Sequence, residues 1–343
     1  MKNKLFGLDI GTTTMKAVWL DKVGTGYALN SVYTMPTPAR GMMSESPLDQ
    51  EEVAQTITRI VEEAHISSRA VNLSLPESQV FTRIIDMPIL SDKELSSAIY
   101  WEAEQYIPVP LNSITLDYRV LHRPEPTESA TKMTVLLVGA PTMLIDKYDH
   151  VLSLAGISIA SLETEILSII RSVIIGDQHP PTLVANIGAM NTSLAIVRNN
   201  MVAFTYSIAT GGIALSRSIA ADFGFSFQQA EEYKKAYGLV EGELGGKIGK
   251  ATAPVLASIL TEVRKAFAFY NEKFPTDPVQ QIILSGGTAK LPGLNTFFAN
   301  NSGIETVVAN PWKVLNSQEV PEEILNDAPE YALAVGLAMR EYE

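Results

Sequence analysis

Phe6-Gly7-Leu8-Asp9-Ile10-Gly11-Thr12-Thr13-Thr14-Met15-Lys16-Ala17-Val18 runs from an apolar strand through a carboxylate into a small polar turn, then out along a second apolar strand. A phosphate loop needs small residues, because backbone N–H groups must come close to phosphate oxygens. Gly11, Thr12 and Thr13 meet that need, the threonine hydroxyls add donors, and Lys16 supplies a point charge. Asp9, just before the turn, is placed to hold Mg²⁺ through its waters, since Mg²⁺ keeps most of its hydration shell. The residues after the turn, Met15 to Leu20, are strand formers, so the unit is strand–turn–strand. A Walker loop or a Rossmann fingerprint runs into a helix instead, and neither motif occurs. Taken alone, the stretch also reads as an ordinary hairpin turn.

The same pattern returns at Leu183-Val184-Ala185-Asn186-Ile187-Gly188-Ala189-Met190-Asn191-Thr192-Ser193-Leu194-Ala195. Gly188 and Ala189 are small enough for backbone contact, and Asn191 and Thr192 carry groups that bond phosphate. Two copies so far apart point to two similar lobes rather than a solenoid. Two such hairpins facing each other would clamp a triphosphate across a cleft. Further along, Gly211-Gly212 opens a helix, where unpaired N–H groups favour an anion or a ribose. Glu231 and Lys234 stand one helical turn apart and are read either as a sugar and base contact or as a surface ion pair. Ser285-Gly286-Gly287-Thr288 offers backbone against which a flat ring can lie, or is a plain strand-to-helix turn.

Between the hairpins, 49–64 reads as a helix with Asp49 as N-cap and Val53, Ile57, Ile60, Val61 and Ala64 on one face. Strands are expected at 71–75, 79–87, 114–121 and 131–138, with a loop at 123–129. A helix starting at Ser91 carries a Ser91/Glu94 capping box and ends at Pro108. Tyr100, Trp101 and Tyr106 on it are expected as core or lobe-contact aromatics. The second half gives helices at 212–223, 226–236 and 253–274, a buried strand at 281–284 and a last helix at 328–341.

The 343 residues are too many for one compact core. A net charge of −12 opposes non-specific nucleic-acid binding. The absence of cysteine excludes disulfides, zinc ribbons and thiol chemistry. No signal peptide or membrane span is expected, and no C-terminal amphipathic anchor.

The two Asp/Asn-Ile-Gly hairpins, the Gly-Gly helix with Ala230-Glu231-Glu232-Tyr233-Lys234, and the late Ser-Gly-Gly loop, in that order, resemble the actin, Hsp70 and sugar-kinase superfamily. Phe81-Thr82-Arg83-Ile84-Ile85-Asp86-Met87-Pro88, with Trp101-Glu102-Ala103-Glu104-Gln105-Tyr106-Ile107-Pro108, is similar to the PilM family of type IV pilus proteins, which is related to FtsA. The resemblance implies an α/β, actin-like fold of two duplicated ribonuclease-H-like lobes with a small α+β insert. It places the first lobe at 1–68, with 152–178 and 318–343 returning to it, the insert at 69–151 and the second lobe at 179–317. It implies ATP or ADP with Mg²⁺ in the cleft, a site on the cytoplasmic side of the inner membrane, and capture of the N-terminal tail of a PilN-like membrane protein. The groove for that tail would lie between the first lobe and the insert, involving the 80s strand and the 91–107 helix. Members of the family usually carry Asp where this chain has Asn186, so one of two carboxylates for hydrated Mg²⁺ is an uncharged amide. Glu165 lines up with the acidic residue of the family's lobe-connecting helix and is the candidate for positioning an attacking water; the alternative is a solvated helix residue. Slow or absent hydrolysis is expected. An FtsA-like division protein and a sugar or acetate kinase are the competing readings; the first would need a membrane-binding tail and the second a substrate-binding carboxylate near the second hairpin, against which Asn186 argues.

Overall fold

A computed structural model describes residues 5–125, 131–176, 178–242, 246–316 and 320–340. Its first sheet is built on β1 (Phe6–Ile10), flanked on one side by β2 (Thr14–Val23) and β3 (Gly26–Pro36) as antiparallel neighbours. On the other side β4 (Ala70–Leu75) and then β8 (Ser158–Thr164) add in parallel. The helices α1 (Pro47–Glu63) and α3 (Thr142–Leu154) cover one face. Residues alternate across a strand, so Phe6 and Leu8 enter the core with Val53, Ile57, Tyr148 and Val151. Gly7 points the other way.

The insert comprises β5 (Phe81–Pro88), α2 (Asp92–Ala103), β6 (Ile114–His122) and β7 (Lys132–Pro141), with its sheet ordered β5-β7-β6. The Ser91/Glu94 capping box is formed. α2 packs Leu95, Ile99 and Ala103 onto Ile85, Met87, Met133 and Val135. The expected insert boundaries, 69–151, are too wide at both ends. β4 pairs with β1, and α3 puts Tyr148, Val151 and Leu152 into the first lobe's core. Alternating strand residues and an amphipathic helix look the same in sequence whichever core they fill.

After α4 (Glu165–Val173), the second sheet repeats the plan. β9 (Thr182–Ile187) is central, β10 (Thr192–Arg198) and β11 (Met201–Ile208) join antiparallel, and β12 (Gln281–Ser285) and β13 (Glu305–Val308) join in parallel. The helices α5 (Gly212–Phe223), α6 (Phe227–Tyr237), α7 (Lys247–Lys273) and α8 (Leu294–Ser302) follow the hairpin strands and β12. The short α9 (Glu322–Asn326) and α10 (Ala332–Met339) close the described chain.

α4 and α10 lie between the two sheets. α10 packs Ala334 and Val335 onto Val18 and Leu20 of the first sheet, and Ala332, Leu333 and Leu337 join Val184 and Ala195 of the second. A helix buried on every side is apolar on every side, as Ala-Leu-Ala-Val-Gly-Leu-Ala-Met is. Glycines set the spacing. A Cβ on Gly7 would stand 2.3 Å from the carbonyl oxygen of Ala334, and one on Gly336 would stand 1.8 Å from that of Ser168 in α4.

Some sequence expectations are corrected. α1 starts at Pro47 after Ser46, and Asp49 sits inside the first turn, accepting a bond from the Ser44 hydroxyl rather than capping. α7 starts at Lys247 and runs through Pro254, with the Thr252 hydroxyl bonding the carbonyls of Ile248 and Gly249 a turn back. The last helix begins at Ala332 because 328–330 forms a 3-10 turn around Pro329. The end of that helix at Glu341 and most of the 123–129 loop lie outside the described residues.

Candidate functional site

β1 and β9 are the middle strands of their sheets, and each ends in the turn that starts its hairpin. In the first, Thr12 and Thr13 are exposed at the tip. Thr37 steadies it, its hydroxyl donating to the Gly11 carbonyl at 2.7 Å and its N–H to that of Thr13 at 3.0 Å. In the second, the Gly188 N–H donates to the Asn191 carbonyl at 2.9 Å.

The second tip meets the first lobe. The Asn191 amide donates to Ser78 Oγ at 3.1 Å. Ser78 follows β4, which is parallel to β1, so it lies at the end of the first sheet from which Gly11 emerges. A chain of charges makes the same crossing. Lys16 Nζ, almost fully buried, stands 4.0 Å from Asp9 and 3.7 Å from Glu330. Glu330 is held in turn by Lys290 at 2.6 Å, two residues past Thr288. Both hairpin tips therefore stand beside contacts that join the two lobes.

Three loops of the second lobe close on each other, and their glycines are what permits it. A Cβ on Gly211 would lie 2.5 Å from the Gly188 carbonyl oxygen, and one on Gly286 would lie 2.7 Å from that of Ile187. Gly286 also has φ +84°, which favours glycine. The N–H of Gly212 donates to the Gly188 carbonyl and that of Ile213 to Ala189, both at 2.9 Å. These donors are thus not free for an anion, as the Gly-Gly helix start led one to expect. Thr288 Oγ1 donates to the Gly188 carbonyl at 3.3 Å. Gly287 is different: the nearest atoms to a Cβ there would be those of the Glu330 side chain, at 3.7 Å and beyond. Thr192, expected as a phosphate ligand, is buried and its hydroxyl donates to the Thr210 carbonyl at 2.7 Å. Its hydroxyl is consumed in holding β10 to the segment before α5.

Glu231 and Lys234 do pair, at 2.6 Å, but not as a surface ion pair. Lys234 is buried and donates to the Gly212 carbonyl at 3.0 Å, while Ser216 bonds Glu231. Burial pushes the Glu231 carboxyl up, but the Lys234 and Ser216 bonds outweigh it and hold it below the usual range. The Lys234 ammonium is held below its ordinary value by burial.

Glu165 opens α4 and is half-buried rather than fully solvated. Its Oε2 accepts from the N–H of Glu77 at 3.4 Å. Burial, then the charges of Asp9 and Glu77, push its carboxyl up to about 8. Burial raises Asp9 to about 6, with Lys16 opposing and Glu330 adding to the rise. Because the folded chain keeps a Glu165 proton that the unfolded chain loses, stability falls as pH rises from about 4.5 to about 8. Glu165→Gln is therefore expected to be more stable than the wild type at pH 8, by on the order of 3 kcal/mol, and equal to it near pH 4.5. Denaturant titrations at both pH values check this; an equal offset at both would contradict it.

Asn186 lies in β9 beside Ser285 and Ser193. With an amide there, Asp9 is the carboxylate facing the first tip. Among the described residues no three His, Asp or Glu side chains gather as a metal site. The exposed Thr12–Thr13 tip, the buried Lys16 cation and the open backbone at Gly287 suit a polyphosphate with its hydrated Mg²⁺ held by Asp9. Sequence reasoning missed Glu330, Lys290, Glu77 and Ser78. The nearness of Lys290 to Gly287 was its only local signal, and Glu330 had none.

The aromatics of the insert are corrected as well. Trp101 is 75% and Tyr100 55% exposed, so neither is a core or lobe-contact residue. Tyr106, at 38%, is also on the surface. The α2 face turned inward is taken by Leu95, Ile99 and Ala103.

The model of the family described as type IV pilus assembly protein PilM matches residues 7–342. A solved PilM–PilN type IV pilus biogenesis complex superposes with a TM-score of 0.85 at 28% identity, covering 99% of both chains. EutJ from Carboxydothermus hydrogenoformans (TM-score 0.57, 15% identity, 98% of this chain and 89% of that one) shares the fold. So does ADP-bound MreB5 of Spiroplasma citri (0.52, 14%, 97% and 94%). The cell division protein FtsA of Streptococcus pneumoniae is 24% identical over 331 residues, 84% of this chain and 71% of the relative. The fold is thus actin-like, and no helix among the described residues is long and apolar enough to cross a membrane. With nearly its whole length matched, the chain belongs to the PilM family of type IV pilus assembly proteins.

Proposed function

We propose that the chain is a nucleotide-loaded scaffold on the cytoplasmic face of the inner membrane, where it captures the N-terminal tail of a PilN-like membrane protein. The observation that carries the nucleotide part is the crossing of the cleft by Asp9, Lys16, Glu330 and Lys290, beside two hairpin tips. Gly11, Thr12 and Thr13 would hold phosphates with Lys16, Ala189 and Asn191 would close on them with Gly188 shaping the turn, and Gly287 would lie against the nucleoside. Hydrolysis would be slow. Asn186 withholds a charge from the metal, and burial raises the Glu165 carboxyl, disfavouring the ionised form a base needs. Titration with Mg-ATP and Mg-ADP is expected to give saturable binding with little steady-state turnover; kinase-like turnover would sink the slow-hydrolysis reading.

The tail is expected to touch α2, which presents Trp101 and Tyr100 to solvent. Exposed aromatics of this size are the usual anchors of a protein contact. The relevant support from outside the chain is the PilM–PilN complex it resembles. Trp101→Ala is expected to weaken binding of a labelled tail peptide at least tenfold, with nucleotide binding and melting temperature unchanged. A peptide affinity equal to wild type would move the tail off this helix.

A further inference from the structure

We propose that Glu330 competes with the phosphates for Lys16, and that Lys290, to which it is bonded, holds its charge aside. The inference rests on the nucleotide reading above and names the residue pair that tunes it.

Lys16 is a buried cation, its side chain only 6% exposed, and needs an anion beside it. Its two carboxylates stand at 4.0 and 3.7 Å, longer than a direct ion-pair hydrogen bond, while its Nζ donates to Thr14 Oγ1 at 2.5 Å. The cation is thus neutralised but not saturated. Glu330 reaches it from the turn before α10, which is fastened to the second lobe: the Gly286 N–H and the Ser285 hydroxyl both donate to the Pro329 carbonyl, at 2.9 and 3.2 Å. The backbone at 330 is therefore anchored, and its carboxylate sits between two cations, bonded to one and near the other. Its Oε2 faces Lys16 and its Oε1 is bonded by Lys290 at 2.6 Å. Lys290 is also bonded to Asp327, at 2.5 Å, so its position does not depend on Glu330 alone.

A phosphate chain at the Gly11–Thr13 tip would seek Lys16 and meet the Glu330 charge next to it. Two anions at one ammonium repel unless one is held elsewhere, and Lys290 is the cation that holds it. Removing the Glu330 charge should therefore tighten nucleotide binding. Removing the Lys290 charge should weaken it, because Glu330 is then released to turn fully to Lys16. Opposite signs from the two ends of one ion pair are what a merely structural bridge would not give, since breaking such a bridge from either end does similar damage.

The test is calorimetric titration of the full chain with Mg-ADP and Mg-ATP, for wild type, Glu330→Gln and Lys290→Ala. Gln keeps the shape of Glu330, and each variant's melting temperature is recorded to show that it is folded. The expected result is roughly 5- to 20-fold tighter ATP binding for E330Q, a smaller gain for ADP, and several-fold weaker binding for K290A. The E330Q gain should shrink at high salt. Unchanged or weaker binding by E330Q, or a shift of the same sign in both variants, overturns the inference while leaving the nucleotide reading standing. Absence of binding by wild type and both variants at millimolar nucleotide overturns the nucleotide reading and this inference with it.

Discussion

Gly336→Ala is expected to destabilise the chain by at least about 3 kcal/mol, although alanine is the better helix former. Propensity alone would favour the change by about 1 kcal/mol. Against it stands a Cβ 1.8 Å from the Ser168 carbonyl oxygen and 2.5 Å from its carbon, a collision with backbone that no rotamer relieves. α10 cannot retreat, because Gly7 on its other side already brings β1 within the same distance of the Ala334 carbonyl and the Ala338 N–H that a methyl would violate. Relief would have to part α10 from α4, opening the contact of both sheets with the helices between them. Gly249→Ala in α7 is the control. Its Cβ would meet only the Leu239 Cα at 3.8 Å, an ordinary contact, so the same substitution is expected to stabilise by up to about 1 kcal/mol. Melting curves of the two variants should move in opposite directions; a Gly336→Ala protein as stable as wild type would mean the helices pack less closely than described.

Lys16→Ala is expected to weaken ADP and ATP binding by about 30- to 100-fold, the loss of one charge-assisted contact to phosphate. The same change should cost stability without any nucleotide, because Asp9 and Glu330 lose the cation between them. The sign of its pH dependence follows from Asp9. Its folded carboxyl already sits at about 6 against an ordinary 3.8, so wild-type stability falls across that window as pH rises. Lys16 is what opposes a further rise. Without it the window extends upward, and the stability gap between variant and wild type should widen between pH 5 and pH 8. Denaturation midpoints at the two pH values, with nucleotide absent, check this. A gap that is constant with pH would show that Lys16 acts by packing and not by charge.

Much of this chain's design could be read along its length. The two Asp/Asn-Ile-Gly hairpins, the capping box of α2, and the strand into Ser285 are local patterns, and each reports local geometry. The strands β3, β8, β11 and β13 have no counterpart in that reading, because none shows a continuous alternation of buried and exposed residues. The insert edges blurred for a related reason: hydrophobic period identifies a strand or helix but not the core it fills.

Sequence by itself determined that two matched glycine turns end two similar sheets, since turn chemistry and strand period depend on near neighbours. Tertiary structure alone decided which of those groups are left open and which are bonded to each other. Gly211, Gly212, Gly286 and Thr192 serve loop-to-loop packing, and Glu330 reaches Lys16 from more than 300 residues away. Burial and charge act through space, and no local stretch of chain records who the distant neighbour will be.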